Sequence, residues 1–360
     1  MNNMKILIIN PFGIGDVIFS TPLIEALKDI YPDSFIGYVC NKRAHEAIGS
    51  NPNINKIFIY EKDDYRSIWR RSKIECLKKI INFLKGIREE WFDVAIDLSL
   101  GYQYSLFLKI VGIKKRIGFN YRNRGRFLTD KINIEGFNDK HVIEYYLDML
   151  KLLGKEPDRY RIGPKIYLGE DDIVWARNFL KDNGVDEKNM VIGLIPGCGA
   201  SWGVDAKYRR WEREKFSRLS DLLVEKHGAK ILLFGDARDT AICQEIKRLA
   251  RNNLIDACGK TSIGEFLGLA SRCRLIITND GGPLHMAIGV GVATVSLFGP
   301  VDERIYGPYP VSPRHITVAV DMPCRPCYKN FKYVKCEMRK CLADIKTEDV
   351  LSAAEKLLKD

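Results

Sequence analysis

The sequence predicts an α/β protein of two Rossmann-like domains, each with a parallel sheet, facing a central cleft. Three observations carry this reading. Short apolar runs without alternation recur: KILIIN from Lys5, DVAIDLS from Asp93, MVIGLIPG from Met190, AKILLFGD from Ala229 and RLIITND from Arg274. Strands buried on both faces read this way. Segments of helical period separate the runs, which implies right-handed crossovers between parallel strands. The alternation halts once, at the polar segment KEPDRYRIGPKIYLGEDD from Lys155, and then restarts. The 360 residues thus divide into two domains, each long enough to bury a core.

The expected boundaries are 1–168, 169–345 and a C-terminal helix over 346–360. In the first domain the strand KILIIN leads through a glycine loop to helical spacing from Pro22 (PLIEALKDIY), then to the strand FIGYVC. A basic segment from Asp63 to Trp91 reads as an amphipathic helix or helix pair. DVAIDLS and KRIGF repeat the strand theme, and HVIEYYLDMLKLLG from His141 closes the domain as a helix. In the second, MVIGLIPG, AKILLFGD, LIDACG, RLIITND and ATVSLFG alternate with helices such as EKFSRLSDLLVEKHG and DTAICQEIKRLAR. TEDVLSAAEKLLKD is a capped amphipathic helix, Thr347 its expected N-cap, which would pack back on the first domain.

Composition narrows the function. The balance of 57 basic against 46 acidic residues gives +11, which favours an anionic partner: nucleotide phosphates, an anionic lipid surface or nucleic acid. The basic residues match no familiar nucleic-acid module, so nucleic acid is not expected. No apolar run reaches the ~18 residues of a membrane span, and MNNMKILIIN lacks the pattern of a signal peptide. The expected location is cytoplasmic. The basic segment 63–91 suits either a membrane surface or an anionic acceptor; the plainer reading is a solvated surface helix.

Cys40, Cys76, Cys198, Cys243, Cys258 and Cys273 are scattered singly, as small buried apolar residues would be. Cys324, Cys327, Cys336 and Cys341 cluster as C-x2-C-x8-C-x4-C. Four thiolates so spaced suit a structural zinc that staples a loop away from the chemistry; free thiols or disulfides are the alternative.

Chemistry-bearing residues gather where strands end and glycines begin. NPFGIGDVIFSTP carries Gly13, Gly15 and Asp16 at a helix start; Asp16 there is either a general base or a plain N-cap. GIGDVI lacks the third glycine of the dinucleotide fingerprint, and no acid ends FIGYVC, which weighs against nicotinamide binding. IPGCGASWGVDAKYRRW sets Lys207, Arg209 and Arg210 behind a glycine loop, cations suited to a diphosphate. LLFGDARD offers Asp236 to a nucleoside, and CGKTSIGEF offers Lys260 and Thr261 at a helix start. NDGGPLHMA places Asp280, Gly281, Gly282 and His285 at another. Helix N–H groups there favour phosphate, while Asp280 suits sugar hydroxyls. The plainer alternative makes Asp280 a cap and His285 a satisfied core histidine.

Four of these motifs in order, GIGDVIFSTP, PGCGASWGVDAKYRRW, CGKTSIGEF and NDGGPLHMA…SLFGP, resemble glycosyltransferase family 9, the lipopolysaccharide heptosyltransferases. The likeness spans nearly the whole chain. It implies a GT-B fold with an acceptor-binding N-terminal domain and a C-terminal domain for the nucleotide sugar. It further implies inverting, metal-independent transfer of heptose from ADP-heptose to a lipopolysaccharide inner-core acceptor. A lipid-linked or core-oligosaccharide acceptor, no cofactor and a monomer are expected, with peripheral association at the inner membrane as a further option. Asp16 matches the family's general base, Arg209 and Arg210 its basic position before Trp211, and Asp280 its donor-sugar acid. The chain departs from the family's usual Asp-Ser-Gly-Pro and Lys-Arg-Trp at Gly281 and Arg209, which leaves the donor open. Another sugar or acceptor is the first alternative and an NAD-dependent oxidoreductase the second. No Asp-x-Asp metal signature occurs.

Overall fold

The computed structural model describes residues 4–199, 203–333, 336 and 338–359, and divides into two units, Met1–Ile162 and Gly163–Asp360. The division falls inside the polar segment expected as a linker, a few residues ahead of the expected boundary.

In the first unit six parallel strands, β1 (Lys5–Ile9), β2 (Phe35–Cys40), β3 (Lys56–Ile59), β4 (Val94–Asp97), β5 (Lys115–Tyr121) and β6 (Asp130–Ile134), stand in the order β3-β2-β1-β4-β5-β6. The chain winds outward one way from β1 and the other way from β4, so the topological switch point lies between those strands. Leu7 and Ile9 of β1, Val39 of β2 and Ala95 of β4 share one face, packed with Phe58, Phe92, Tyr104 and Leu108.

The second unit repeats the plan. Its strands are β7 (Val191–Ile195), β8 (Lys230–Leu233), β9 (Ile255–Asp256), β10 (Leu275–Asn279), β11 (Ala293–Phe298) and β12 (His315–Ala319). Their order is β12-β11-β10-β7-β8-β9, all parallel, with the switch between β7 and β10. Residues two apart, Ile192 and Leu194, Leu275 and Ile277, Val295 and Leu297, lie on one face and share a core with the helices Arg213–His227 and Thr347–Leu358, as the period of a strand requires.

The C-terminal helix Thr347–Leu358 corrects two expectations. Val350, Leu351, Ala354 and Leu357 pack into the same core as β10 and β11, so the helix belongs to the second unit. Lys346, not Thr347, is its N-cap, and Asp349 accepts the Lys346 amide at 3.4 Å. All six scattered cysteines are buried.

Candidate active site

In the first unit the loop after β1 is held by asparagines. Asn10, fully buried, donates to the Asp16 carbonyl at 2.9 Å and accepts from the Phe12 amide. Asn41, at the end of β2, donates to the Phe12 carbonyl at 2.5 Å. These bonds fix the entry into the helix Ile14–Phe19. Its N-cap is Gly13, with Asp16 in the first turn. The N-cap alternative for Asp16 is therefore ruled out by position: the carboxylate sits inside the helix, where the dipole favours its negative charge. Gly13, Gly15 and Asp16 are all half-buried at the carboxyl end of β1.

Across the switch point stands a residue that sequence reasoning missed. Asp97 ends β4, paired in register with Ile9, and is 2% exposed. DVAIDLS reads as a strand, and only the acid in its apolar run hints at more. Burial pushes the Asp97 carboxyl up to about 7, against the opposing hydrogen bonds of Ser99, whose amide donates at 3.0 Å.

The sign of the consequence follows. Asp97 ordinarily titrates near 3.8, so between about pH 4 and pH 7 the unfolded chain has released the proton while the folded chain holds it. Stability therefore falls as pH rises through that window, by at most ~4 kcal/mol, and is flat above it. Asp97→Asn is expected to remove this slope, which urea midpoints at pH 5 and pH 8 measure directly. An unchanged slope would show that Asp97 does not titrate there.

In the second unit four loops converge at the carboxyl ends of the strands. Asn279, buried at the end of β10, donates to the carbonyls of Pro196 at 2.8 Å and Gly197 at 3.2 Å. It also accepts the Trp211 amide at 2.9 Å. One side chain thus staples both ends of the loop after β7 to the neighbouring strand. Trp211 is wedged below, its indole N–H on the Ile345 carbonyl at 3.1 Å and its ring against Phe216.

That staple delivers two arginines to two buried carboxylates. Arg209 meets Asp280 at 2.6 Å, with 8% and 2% of each residue exposed. Arg210 meets Asp239 at 2.6 Å. Burial raises the carboxyls of Asp280 and Asp239, and the arginines oppose it. Neither arginine stands as an isolated cation. Each guanidinium is already balanced by an acid and held by it in a fixed direction.

Glycine makes this packing possible. A Cβ on Gly197 would strike the Asp239 carboxylate, and one on Gly281 would strike the Cys198 carbonyl. Gly199, at φ +77, lies over Pro283 and Gly282 at the start of the helix Gly282–Gly289. The loop after β7 and that helix N-terminus therefore form one surface at the switch point, where open α/β sheets bind ligands. His285 is buried in the helix.

The remaining expected residues lie further out. Lys207 is exposed, its ammonium 5.2 Å from the Tyr208 ring. Asp236 caps the short turn Ala237–Asp239 and pairs with Arg238. Lys260 turns back to the Asp256 carbonyl at 2.9 Å. Thr261 is half-buried, and Ser262 beside it caps the helix Ile263–Ser271. The loops after β8 and β9 touch, the Gly259 amide donating to the Gly235 carbonyl.

Cys324 and Cys336 are exposed, while Cys327 and Cys341 are half-buried, and none of the four is in a disulfide. Among the described residues no group of three or more His, Cys, Asp or Glu side chains is arranged to hold a metal ion. Residues 334, 335 and 337 of this segment lie outside the described residues.

Two Rossmann-like units, each gathering its loops at the switch point of a parallel sheet, are the GT-B architecture of nucleotide-sugar-dependent transferases. The chain belongs to glycosyltransferase family 9 (heptosyltransferase), whose family model matches residues 80–337. Lipopolysaccharide heptosyltransferase 3 of Escherichia coli K12 is 26% identical over 351 residues, 96% of this chain and 95% of that one. The structure of a family 9 glycosyl transferase from Veillonella parvula DSM 2008 has a TM-score of 0.84 at 26% identity, covering 100% and 99% of the two chains. The E. coli ADP-heptose lipopolysaccharide heptosyltransferase II has a TM-score of 0.76 at 22% identity, covering 99% of each. The protein is a glycosyltransferase.

Proposed function

We propose that this chain transfers heptose from ADP-heptose to the inner core of lipopolysaccharide, with inversion and without a catalytic metal. The observation that carries the donor side is the surface around Gly197, Gly199 and Gly281, backed by the two arginine–aspartate pairs. Backbone N–H groups at the start of Gly282–Gly289 hold the diphosphate, with Arg209 and Arg210 aimed by their carboxylates. Asp280 accepts donor-sugar hydroxyls. Asp236, Lys260 and Thr261 lie on the neighbouring loops, toward the nucleoside.

Asp16 takes the proton of the acceptor hydroxyl as its oxygen bonds to the anomeric carbon. The bond from that carbon to the diphosphate oxygen breaks, and the electron pair leaves with the diphosphate. A single displacement of this kind inverts the anomeric centre. The names of the E. coli relatives support heptose as the sugar and ADP as its carrier.

A thermal-shift panel of ADP-, UDP-, GDP- and CMP-sugars tests the donor. ADP-heptose is expected to raise the melting temperature most, with ~2.7 kcal/mol of stabilisation at a hundredfold excess over Kd. A larger rise with a UDP-, GDP- or CMP-sugar would replace the donor named here.

A further inference from the structure

Cys243 and Cys258 stand apart in sequence, one in DTAICQEIKR and one in LIDACGK, and the second sheet brings them together. β8 and β9 run side by side, Leu232 beside Ile255 and Leu233 beside Asp256. Two residues beyond each strand end, Gly235 and Cys258 therefore come level, and the Gly259 amide donates to the Gly235 carbonyl at 2.9 Å. Cys243 lies in the first turn of the helix Thr240–Leu249, which follows the loop after β8. A Cβ on Gly235 would stand 2.7 Å from the Cys258 sulfur and 3.4 Å from the Cys243 sulfur. The absent side chain leaves room for two thiols in one place.

The two are chemically unequal. Cys243 is 1% exposed and Cys258 4%, and their sulfurs also reach the carbonyls of Phe234 at 3.7 Å and Asp236 at 3.5 Å. A hydrogen bond from the Cys243 thiol draws the Cys258 thiol below its ordinary value, against burial and the nearby acids Asp239 and Asp256. The same bond, with burial, pushes Cys243 up. By contrast, burial alone pushes Cys40 and Cys273 up to about 12, where a thiol is inert.

A thiolate-prone sulfur beside a second thiol is the arrangement that reacts with a peroxide and then closes on its neighbour. We propose that Cys258 and Cys243 form a modification site, which hydrogen peroxide converts to a disulfide and added thiol restores. The Cys258 sulfur attacks a peroxide oxygen, the O–O bond breaks, and the departing hydroxide takes the Cys258 proton to leave as water. The Cys243 sulfur then attacks the sulfenic sulfur of Cys258, the S–O bond breaks, and the second hydroxide takes the Cys243 proton. Two thiols lose two electrons, and one peroxide becomes two waters. The new bond ties the helix Thr240–Leu249 to the loop after β9 beside Asp239, whose Cβ lies 2.8 Å from that same point over Gly235. Asp239 holds Arg210, so, resting on the donor roles proposed above, the disulfide weakens nucleotide-sugar binding.

Peroxide treatment of the full chain, capping of remaining thiols with N-ethylmaleimide and tryptic mapping test the site without donor or acceptor. Lys247, Arg248 and Arg251 separate the two cysteines, so the disulfide shows as a linked pair of peptides that dithiothreitol parts. It is expected at the dose that fully oxidises the exposed Cys324 and Cys336. In Cys243→Ser the bond cannot form, and dimedone is expected on Cys258; melting temperature checks the fold, and Cys243→Ala serves if serine unfolds it. No linked pair at that dose, pairing of Cys258 with another cysteine, or unlabelled Cys258 in the variant overturns the site. ADP-heptose is expected to bind the oxidised chain at least ~10-fold more weakly than the reduced chain, the loss of one charge-assisted hydrogen bond. The double variant Cys243→Ser with Cys258→Ser, treated alike, should keep its affinity. Equal affinity of oxidised and reduced chains overturns the donor effect. A reduced chain that does not bind ADP-heptose fails the transfer reading instead, and the linked peptides still decide the site.

Discussion

Asp16→Asn is expected to lower turnover by ~10²–10⁴ while leaving fold and donor affinity nearly unchanged. The carboxylate lies in the first turn of Ile14–Phe19, with Gly13 as the cap. Asparagine keeps the size and one accepting oxygen, so the loop bonds of Asn10, which reach the Asp16 backbone, survive. What disappears is a negative charge near a helix N-terminus, about 0.3–1 kcal/mol, and the basic lone pair. Loss of a general base adds roughly 3–5 kcal/mol to the barrier. Turnover, donor affinity and melting temperature measured together separate the roles. Turnover within about threefold of wild type, far short of the general-base effect, would leave Asp16 a helix-dipole residue only.

How much of this was legible in sequence depends on burial. Central strands such as β1, β7 and β10 are covered on both faces and spell unbroken apolar runs. The edge strands DKINI and HITVA are half-exposed, so their runs break and the sequence conceals them. The helix Glu170–Asp182 was hidden differently. Its first turn, Glu170, Asp171 and Asp172, reads as polar linker, although acids are what a helix N-terminus favours. Glycine loops and their cations were visible, since glycine marks close backbone approach wherever it falls. Their pairing was not. Arg210 finds its acid 29 residues on, and no local pattern predicts a contact made by neighbouring strands. Asn279 and Asp97 were likewise masked by the strands they end.

Arg209→Ala is expected to cost ~3–5 kcal/mol of folding stability, because it leaves Asp280 buried without its partner. The pair is almost wholly desolvated and meets at 2.6 Å; burial already works against the Asp280 charge, and Arg209 is what opposes it. Loss of donor affinity in the single variant would therefore confound folding with binding. The double variant Arg209→Met with Asp280→Leu separates them. Replacing both partners by apolar side chains removes the stranded charge, so stability should return to within ~1–2 kcal/mol of wild type. Donor affinity should not return under the proposed roles, since the guanidinium assigned to the diphosphate and the acid assigned to the sugar are both gone. Urea denaturation and calorimetric titration with the nucleotide sugar read the two quantities independently. A double variant that binds donor as wild type does would make the pair a folding device alone and move donor recognition elsewhere on the second unit.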